Sequence, residues 1–465
     1  MKKLLLTFSL IGLTSTINAQ WTSQGTGFNV ASRGLNEIKI VDANTVWALA
    51  YDGAPITATH TATDNVQQYT RTTDGGATWT SGPIEMGDAT LEINNISPVN
   101  GLTAWVSALV PTDGNGVVYK TIDGGTTWTQ QLATGFQTSS QSFLNGVYFW
   151  DANTGVAYGD PIGTGASRKF EIWRTTNGGM SWNQVVTSGT AIPLANEYGY
   201  NAPPSVAGGV LWFTTDKGRL IKTTDMGATW TGVQTPLTDF SGLDATTGNG
   251  TAGNVYFSDA NTGFLLKTVI AGTTTSHTYA RTFYTTTNGG STWSASAAFT
   301  GTRFILNYIP NTTTIVATSL AAPVGTSIST NNGASWTDLE PTGTSQRGTS
   351  AFLNVTTGWC AGFSDGNPLG SAGVFKLSGS LGLDNAATVA KFKVYPNPTS
   401  SVVTISTPDV ETVALSVTDL TGKLVMTKSL NGIENTLDIS SLSTGTYFFE
   451  LSSDNKKDVI KILKN

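Results

Sequence analysis

The sequence predicts an all-β chain, and three observations carry that prediction. An eight-residue pattern of Thr or Ser, Gly and Trp recurs six times, and short alternating apolar runs fill the stretches between the copies. Charged residues make up only 12% of the chain, while Gly numbers 52. Many short strands joined by tight turns suit that composition, whereas helix bundles need Glu, Lys, Ala and Leu in quantity.

The copies are TTDGGATW ending at Trp79, TIDGGTTW at Trp128, TTNGGMSW at Trp182, TTDMGATW at Trp230, TTNGGSTW at Trp293 and STNNGASW at Trp336. They recur roughly every 50 residues, a period that marks repeat architectures. Their chemistry is that of a turn. Asp74, Asp123 and Asp225, or Asn177, Asn288 and Asn331 at the matching position, can accept backbone N–H groups and close a hairpin. Gly76, Gly125 and Gly179 supply the positive φ such a turn needs, and each Trp opens the next strand with a ring to bury. Asn keeps the turn bonds but cannot act as an acid or base, so these carboxylates are read as structural. The pattern matches the Asp-box.

Ahead of the boxes a second element recurs. VYFWDANTGVAYG (147–159) and VYFSDANTGFLL (255–266) are paired β runs around an Asn-Thr-Gly turn, with looser copies at 41–50, 97–107, 208–215, 308–318 and 354–363. Seven hairpins therefore accompany six boxes. Four strands per unit, seven units, predicts a seven-bladed β-propeller over residues 20–378. The seventh unit has an apolar strand, GVFKLSG (373–379), but no box after it. Trp21 in AQWTSQG resembles the strand that follows the other boxes, so the N-terminus is expected to complete that blade and remove its open edge.

The two ends read differently. Lys2 and Lys3, the apolar stretch Leu4 to Leu13 and the small residues up to Ala19 form an expected signal peptide over residues 1–19. Its apolar run of about ten residues is short against the roughly 20 a bilayer span requires. No membrane span is expected elsewhere. A polar linker at 379–390 leads into residues 391–465, where alternating apolar positions separated by Pro-Asn-Pro, Thr-Gly and Ser-Thr-Gly turns predict a small Ig-like β-sandwich. Tyr395-Pro396-Asn397-Pro398, Thr421-Gly422-Lys423, the segment containing Gly445 and Tyr447, and the basic end KILKN resemble the type A sorting domain of type IX secretion in Bacteroidetes. The resemblance implies passage through the periplasm to the outer surface or medium. The partners it implies are the type IX machinery and its surface sortase, with the tail removed on the way.

Charge and cysteine count narrow the function. The chain has a net charge of −6 and no clustered Lys and Arg, which argues against nucleic acid. Cys360 is the sole cysteine, so no internal disulfide forms, and it reads as a small buried hydrophobe. Two histidines without ligand spacing give no metal site, and no cofactor is expected.

Candidate chemistry falls on the end opposite the boxes, in the loops between second and third strands and between units. His60, Asp64, Asp160, Arg168, His277 and Arg281 lie in the former, and Arg33, Glu197, Tyr198, Tyr200, Arg303 and Arg347 in the latter. His60, Arg168, Tyr198, His277 and Arg303 are the candidate ligand contacts. SRGLNEIKIVDANTVWA, FWDANTGVAYGDP and NEYGYNAPPS resemble a group of secreted Asp-box propellers described as sialidase-like or photosystem-assembly-factor-like, departing from it at Ser32 and near Trp212. Asp160 and Glu197 could serve a glycoside as acid and base, with Arg33 holding the sugar. A retaining sialidase, though, would show a Phe/Tyr-Arg-Ile-Pro segment and six blades. The expected function is a secreted binding or scaffold module for extracellular glycan or protein. A sialidase-like glycoside hydrolase is the alternative.

Overall fold

The computed structural model describes residues 20–54, 66–381 and 392–465, apart from short segments at 113, 133–134, 138–142, 201, 241, 245, 274–275, 341–344, 369, 408–411 and 454–455. The signal-peptide segment, His60, Asp64 and most of the linker lie outside the described residues. The chain divides into two compact units, Asn18–Ser380 and a C-terminal unit from Leu381 to Asn465. Both are all-β; among the described residues the only helices are two 3-10 turns, Gly165–Ser167 and Gly189–Ala191.

In the larger unit the described strands form seven antiparallel sheets, built almost entirely from consecutive stretches of chain. The first holds Ala31–Ile40, Val46–Asp52, Gln68–Thr72 and Thr80–Pro83. The second holds Glu92–Pro98, Ala104–Leu109, Gly116–Thr121 and Thr129–Gln130, the third Leu144–Phe149, Gly155–Ile162, Lys169–Thr175 and Asn183–Gln184. The fourth comprises Ser205–Ala207, Val210–Thr214, Arg219–Thr223 and Thr231–Gln234. The fifth is larger: Gly242–Asp244, Asn249–Phe257, Gly263–Thr273, Ser276–Thr286 and Ala297–Ala298. Ile305–Tyr308, Ile315–Ser319, Gly325–Ser329 and Thr337–Asp338 make the sixth. Ser350–Asn354, Thr357–Ala361 and Gly373–Ser378 belong to the seventh, whose outer strand is Gln20–Gly25, paired from Gln20↔Ser378 to Gly25↔Gly373. Phe363–Asp365 crosses over to join the first sheet beside Ala31–Ile40.

In the first and second sheets the second strand is buried on both faces, which is why it reads as an apolar run, Val46-Trp47-Ala48-Leu49 or Ala104-Trp105-Val106. Successive sheets pack through aromatic pairs. Trp105 stacks on Phe149 at 3.5 Å, Tyr158 on Phe213 at 4.8 Å and Trp212 on Phe257 at 3.8 Å. Strands that face a neighbouring sheet, the first of the second and third sheets and Asn249–Phe257 of the fifth, have no backbone ladder across that gap, so side chains satisfy their exposed amides. The Ile96 N–H donates to Glu37 Oε2 at 2.8 Å, the Val147 N–H to Asn95 Oδ1 at 2.9 Å and the Phe257 N–H to Ser205 Oγ at 2.9 Å.

A third device was not legible in the repeat pattern. A cation on the third strand of one sheet reaches a backbone carbonyl in the box turn of the next. Lys120 Nζ donates to the Gly178 carbonyl at 2.8 Å, Arg174 Nε to that of Met226 at 2.7 Å and Lys222 Nζ to that of Gly289 at 3.0 Å. Lys376 Nζ, on the seventh sheet, donates to the Gly75 carbonyl of the first box at 2.6 Å, so the last sheet is tied to the first.

The C-terminal unit has two sheets. Lys393–Tyr395, Val402–Ser406 and Glu434–Asp438 form one; Leu424–Leu430, Val413–Asp419, Gly445–Ser453 and Lys456–Lys464 form the other. Alternate residues of both, including Val403, Ile405, Leu415, Val417, Leu437, Phe449 and Ile462, share one buried core.

Candidate functional site

The box turns share one bonding plan. In the first, Thr72 Oγ1 and the Thr78 N–H both donate to Asp74 Oδ1, at 2.8 and 2.9 Å, the Thr78 hydroxyl donates to Oδ2 at 2.6 Å, and the Gly76 N–H donates to Thr72 Oγ1. Asp123 and Asp225 repeat it with Thr127 and Thr229. In the Asn boxes the amide nitrogens of Asn177, Asn288 and Asn331 donate instead to Ser181, Thr292 and Ser335. Thr hydroxyl and backbone bonds hold the carboxyls of Asp74 and Asp123 down to about 2. The indole N–H groups of Trp128, Trp182, Trp230 and Trp293 donate to the carbonyl of their own box glycine. Trp79 donates to Gln24 Oε1 instead. Trp336 packs partly buried beside Phe299. Both carboxyl oxygens of Asp74, Asp123 and Asp225 thus accept bonds from within their own turn.

Asp160 sits at a register shift in Gly155–Ile162, between Tyr158 and Pro161, that turns its side chain inward. Its Oδ1 accepts the Gly199 N–H at 2.8 Å, and burial pushes its carboxyl up to about 7. The Gly199 and Asn145 bonds oppose that rise, Asp216 adds to it and Arg168 reduces it. The neighbouring Tyr198 N–H donates to Asp216 Oδ1 at 2.8 Å. Consecutive amides of one segment therefore hold carboxylates from the third and fourth sheets. A Cβ on Gly199 would lie 2.1 Å from Asn145 Oδ1, which explains a glycine there.

Glu197 was expected to pair with Asp160 as acid and base; its geometry corrects that. The side chain is fully buried, and its oxygens accept from Arg219 Nη1 at 2.6 Å, Thr215 Oγ1 at 2.6 Å and the Leu194 N–H at 2.6 Å. A carboxylate neutralised this way holds a loop and has no oxygen to offer a substrate. Arg33 is not brought to Asp160 either. It lies opposite Asp52 in the first sheet, 3.5 Å from that carboxylate. Arg303, a candidate ligand contact, is 0% exposed and is corrected to a structural residue. It donates to the Val324 carbonyl, Ser327 Oγ and Asp338 Oδ1.

Arg347 is likewise buried, with its guanidinium donating to both carboxylate oxygens of Glu340, and is corrected to a structural residue, whereas Arg168, Tyr198 and His277 stay nearer the surface. Arg168 donates to the carbonyls of Leu194 and Glu197 and lies 5.1 Å from the ring of Tyr198, which is 48% exposed. His277, expected in a loop, lies within the strand Ser276–Thr286 opposite Gly272, because that hairpin runs on far beyond its counterparts. Cys360 is buried, and burial pushes its thiol up to about 12. Among the described residues no group of three or more His, Cys, Asp or Glu could hold a metal.

One cavity of about 390 Å³ is lined by a strand from each of the seven sheets, the first strand in six of them and Asn249–Phe257 in the fifth, with Asn36, Lys39, Tyr148, Val206, Asn254 and Ala351 among its walls. Its only charged lining residues are Glu37 and Lys39, which pair with each other at 2.9 Å.

In the C-terminal unit the motif residues hold the last strand. Asn397 Nδ2 donates to the Lys461 carbonyl at 2.7 Å, and Asn397 Oδ1 accepts the Leu463 N–H at 2.9 Å, between Pro396 and Pro398. The Tyr395 hydroxyl donates to Glu434 Oε1, and that of Tyr447 to the Ser443 carbonyl across the turn at Gly445.

Residues 393–465 match the family model of the secretion system C-terminal sorting domain. This is the type IX sorting domain, and it marks the chain for export to the cell surface or the extracellular space. Among the described residues no helix is long and apolar enough to cross a membrane. No curated protein matches. Among solved structures, YCF48 from Cyanidioschyzon merolae is 16% identical, covering 78% of this chain and 99% of that one, with a TM-score of 0.48. A structure of YCF48 bound to D1 peptide is 14% identical, covering 77% and 97%, with a TM-score of 0.47. The Hadza microbial sialidase Hz136 is 14% identical, covering 76% and 65%, with a TM-score of 0.37.

Proposed function

We propose that this is an exported binding module, a seven-bladed β-propeller followed by an Ig-like sorting domain, that engages extracellular glycan or protein at the end opposite its box turns. Seven sheets around one cavity, with Gln20–Gly25 completing the seventh, support the ring. The observation that carries the binding reading is the state of Glu197. Its ion pair with Arg219 withdraws Glu197 as the acid–base partner of Asp160 that glycoside chemistry would require. Type IX machinery and a surface sortase that removes the tail are the proposed export partners.

Hydrolysis is kept as a second reading by one feature, the Asp160 carboxyl near neutral pH beside Asp216. A glycan array run together with a hydrolysis screen on the mature chain separates the two. Capture without turnover supports the module. Turnover that disappears in a folded Asp160→Asn variant would replace it with the enzyme.

A further inference from the structure

The fifth sheet departs from the other six. Gly263–Thr273 and Ser276–Thr286 pair without a break from Gly263↔Thr286 to Thr273↔Ser276, making a hairpin of eleven-residue strands. Its outer strand, Ala297–Ala298, covers only Thr282 and Phe283. The Phe299 N–H extends that cover by one bond, to the Arg281 carbonyl. In the first, fourth and seventh sheets the outer strand covers the third along Gln68–Arg71, Arg219–Lys222 and Gly373–Ser378; in the second, third and sixth it also pairs with two residues, but there the third strand is only 6, 7 and 5 residues long. Among the described residues, then, the outer edge of Ser276–Ala280 has no strand beside it.

An open edge is a template for another strand, and proteins normally blunt it with Lys, Pro or a bulge. Ser276–Arg281 contains neither Lys nor Pro, and its register has no shift. The face that is buried lower down through Phe283 continues along this edge as Arg281, Tyr279 and His277. Tyr279 is 53% exposed, and the Arg281 guanidinium lies 3.9 Å from the Phe304 ring and 5.3 Å from that of Tyr279. No carboxylate occurs in Ser276–Arg281 or in the partner positions Thr268–Thr273, although the chain as a whole is acidic.

We propose that this edge binds an extended acidic polypeptide by strand addition, with backbone bonds along Ser276–Ala280 and a carboxylate of the partner at Arg281. The inference rests on the binding reading above and names its partner class.

The test uses the full mature chain and a peptide of about ten residues alternating valine and glutamate, long enough to span the edge. Hydrogen exchange should show new protection at residues 276–281. N-methylation of one alternate set of peptide residues should weaken binding by at least on the order of tenfold, and methylation of the other set should leave it intact, because only one peptide edge docks. This comparison needs no change to the protein. Arg281→Glu should shift the preference to a valine–lysine peptide. Protection elsewhere, equal binding of both methylated peptides, or self-association of the chain through this edge would overturn the proposal. Glycan capture without peptide protection would overturn it too while leaving the binding module standing. Glycan turnover would remove the module itself.

Discussion

Arg219 donates from Nη1 to Glu197 Oε2 at 2.6 Å, and both side chains are buried. The same arginine donates to the carbonyls of Thr190 and Ile192, so one ion pair fixes the whole segment that leads into the fourth sheet. Removing one member leaves the other charged and unpaired in the interior. Glu197→Ala is therefore expected to cost about 3–5 kcal/mol in denaturant unfolding. A variant of unchanged stability would return Glu197 to the list of functional carboxylates.

Asp160 carries the pH dependence. Its carboxyl is raised from 3.8 to about 7, so the folded state holds the proton more tightly than the unfolded chain. Its contribution is complete below about pH 4 and is lost as pH rises through about 7, a change on the order of 4 kcal/mol. Asp160→Asn should flatten this part of the melting profile. Parallel profiles for the two proteins would show that Asp160 does not titrate in that window.

The box turns make a contrast within one repeat. Trp128 is buried, donates to the Gly125 carbonyl and meets Tyr69 edge-on at 6.1 Å, so Trp128→Ala should destabilise by roughly 3–5 kcal/mol. Asp123→Asn should cost far less, because Asn331 makes the equivalent backbone bond to Ser335. Chemical denaturation of both variants checks the order, and a more damaging Asp123→Asn would assign that carboxylate a task outside the turn.

The strand Gln20–Gly25 supplies the outer ladder of the seventh sheet, and Trp21 Nε1 donates to Thr326 Oγ1 of the sixth at 3.0 Å. Deleting residues 20–25 should lower the melting temperature by several degrees and open Gly373–Ser378 to hydrogen exchange. An unchanged melt would argue that this strand is dispensable.

In the C-terminal unit, Asn397→Ala removes two bonds to the final strand and should weaken it by on the order of 1 kcal/mol. Deleting residues 391–465 should retain the protein in the periplasm, as fractionation would show. Export at unchanged levels would contradict the sorting assignment.

The sequence by itself determined what depends on near neighbours along the chain. Thr72, Asp74, Gly76 and Thr78 lie within one turn, so their residue types alone dictate their mutual bonds. The all-β character and the sorting domain rest likewise on local alternation and ordered motifs. Only the tertiary structure decided the fate of the candidate site. Glu197 and Arg219, Arg303 and Asp338, and Lys376 and Gly75 meet across loops or across nearly the whole unit. Whether a charge faces solvent or a buried partner depends on which sheets stand beside it, and no spacing in the sequence encodes that. The bare edge at Ser276–Ala280 escaped for the same reason: a strand's neighbour is a fact of packing.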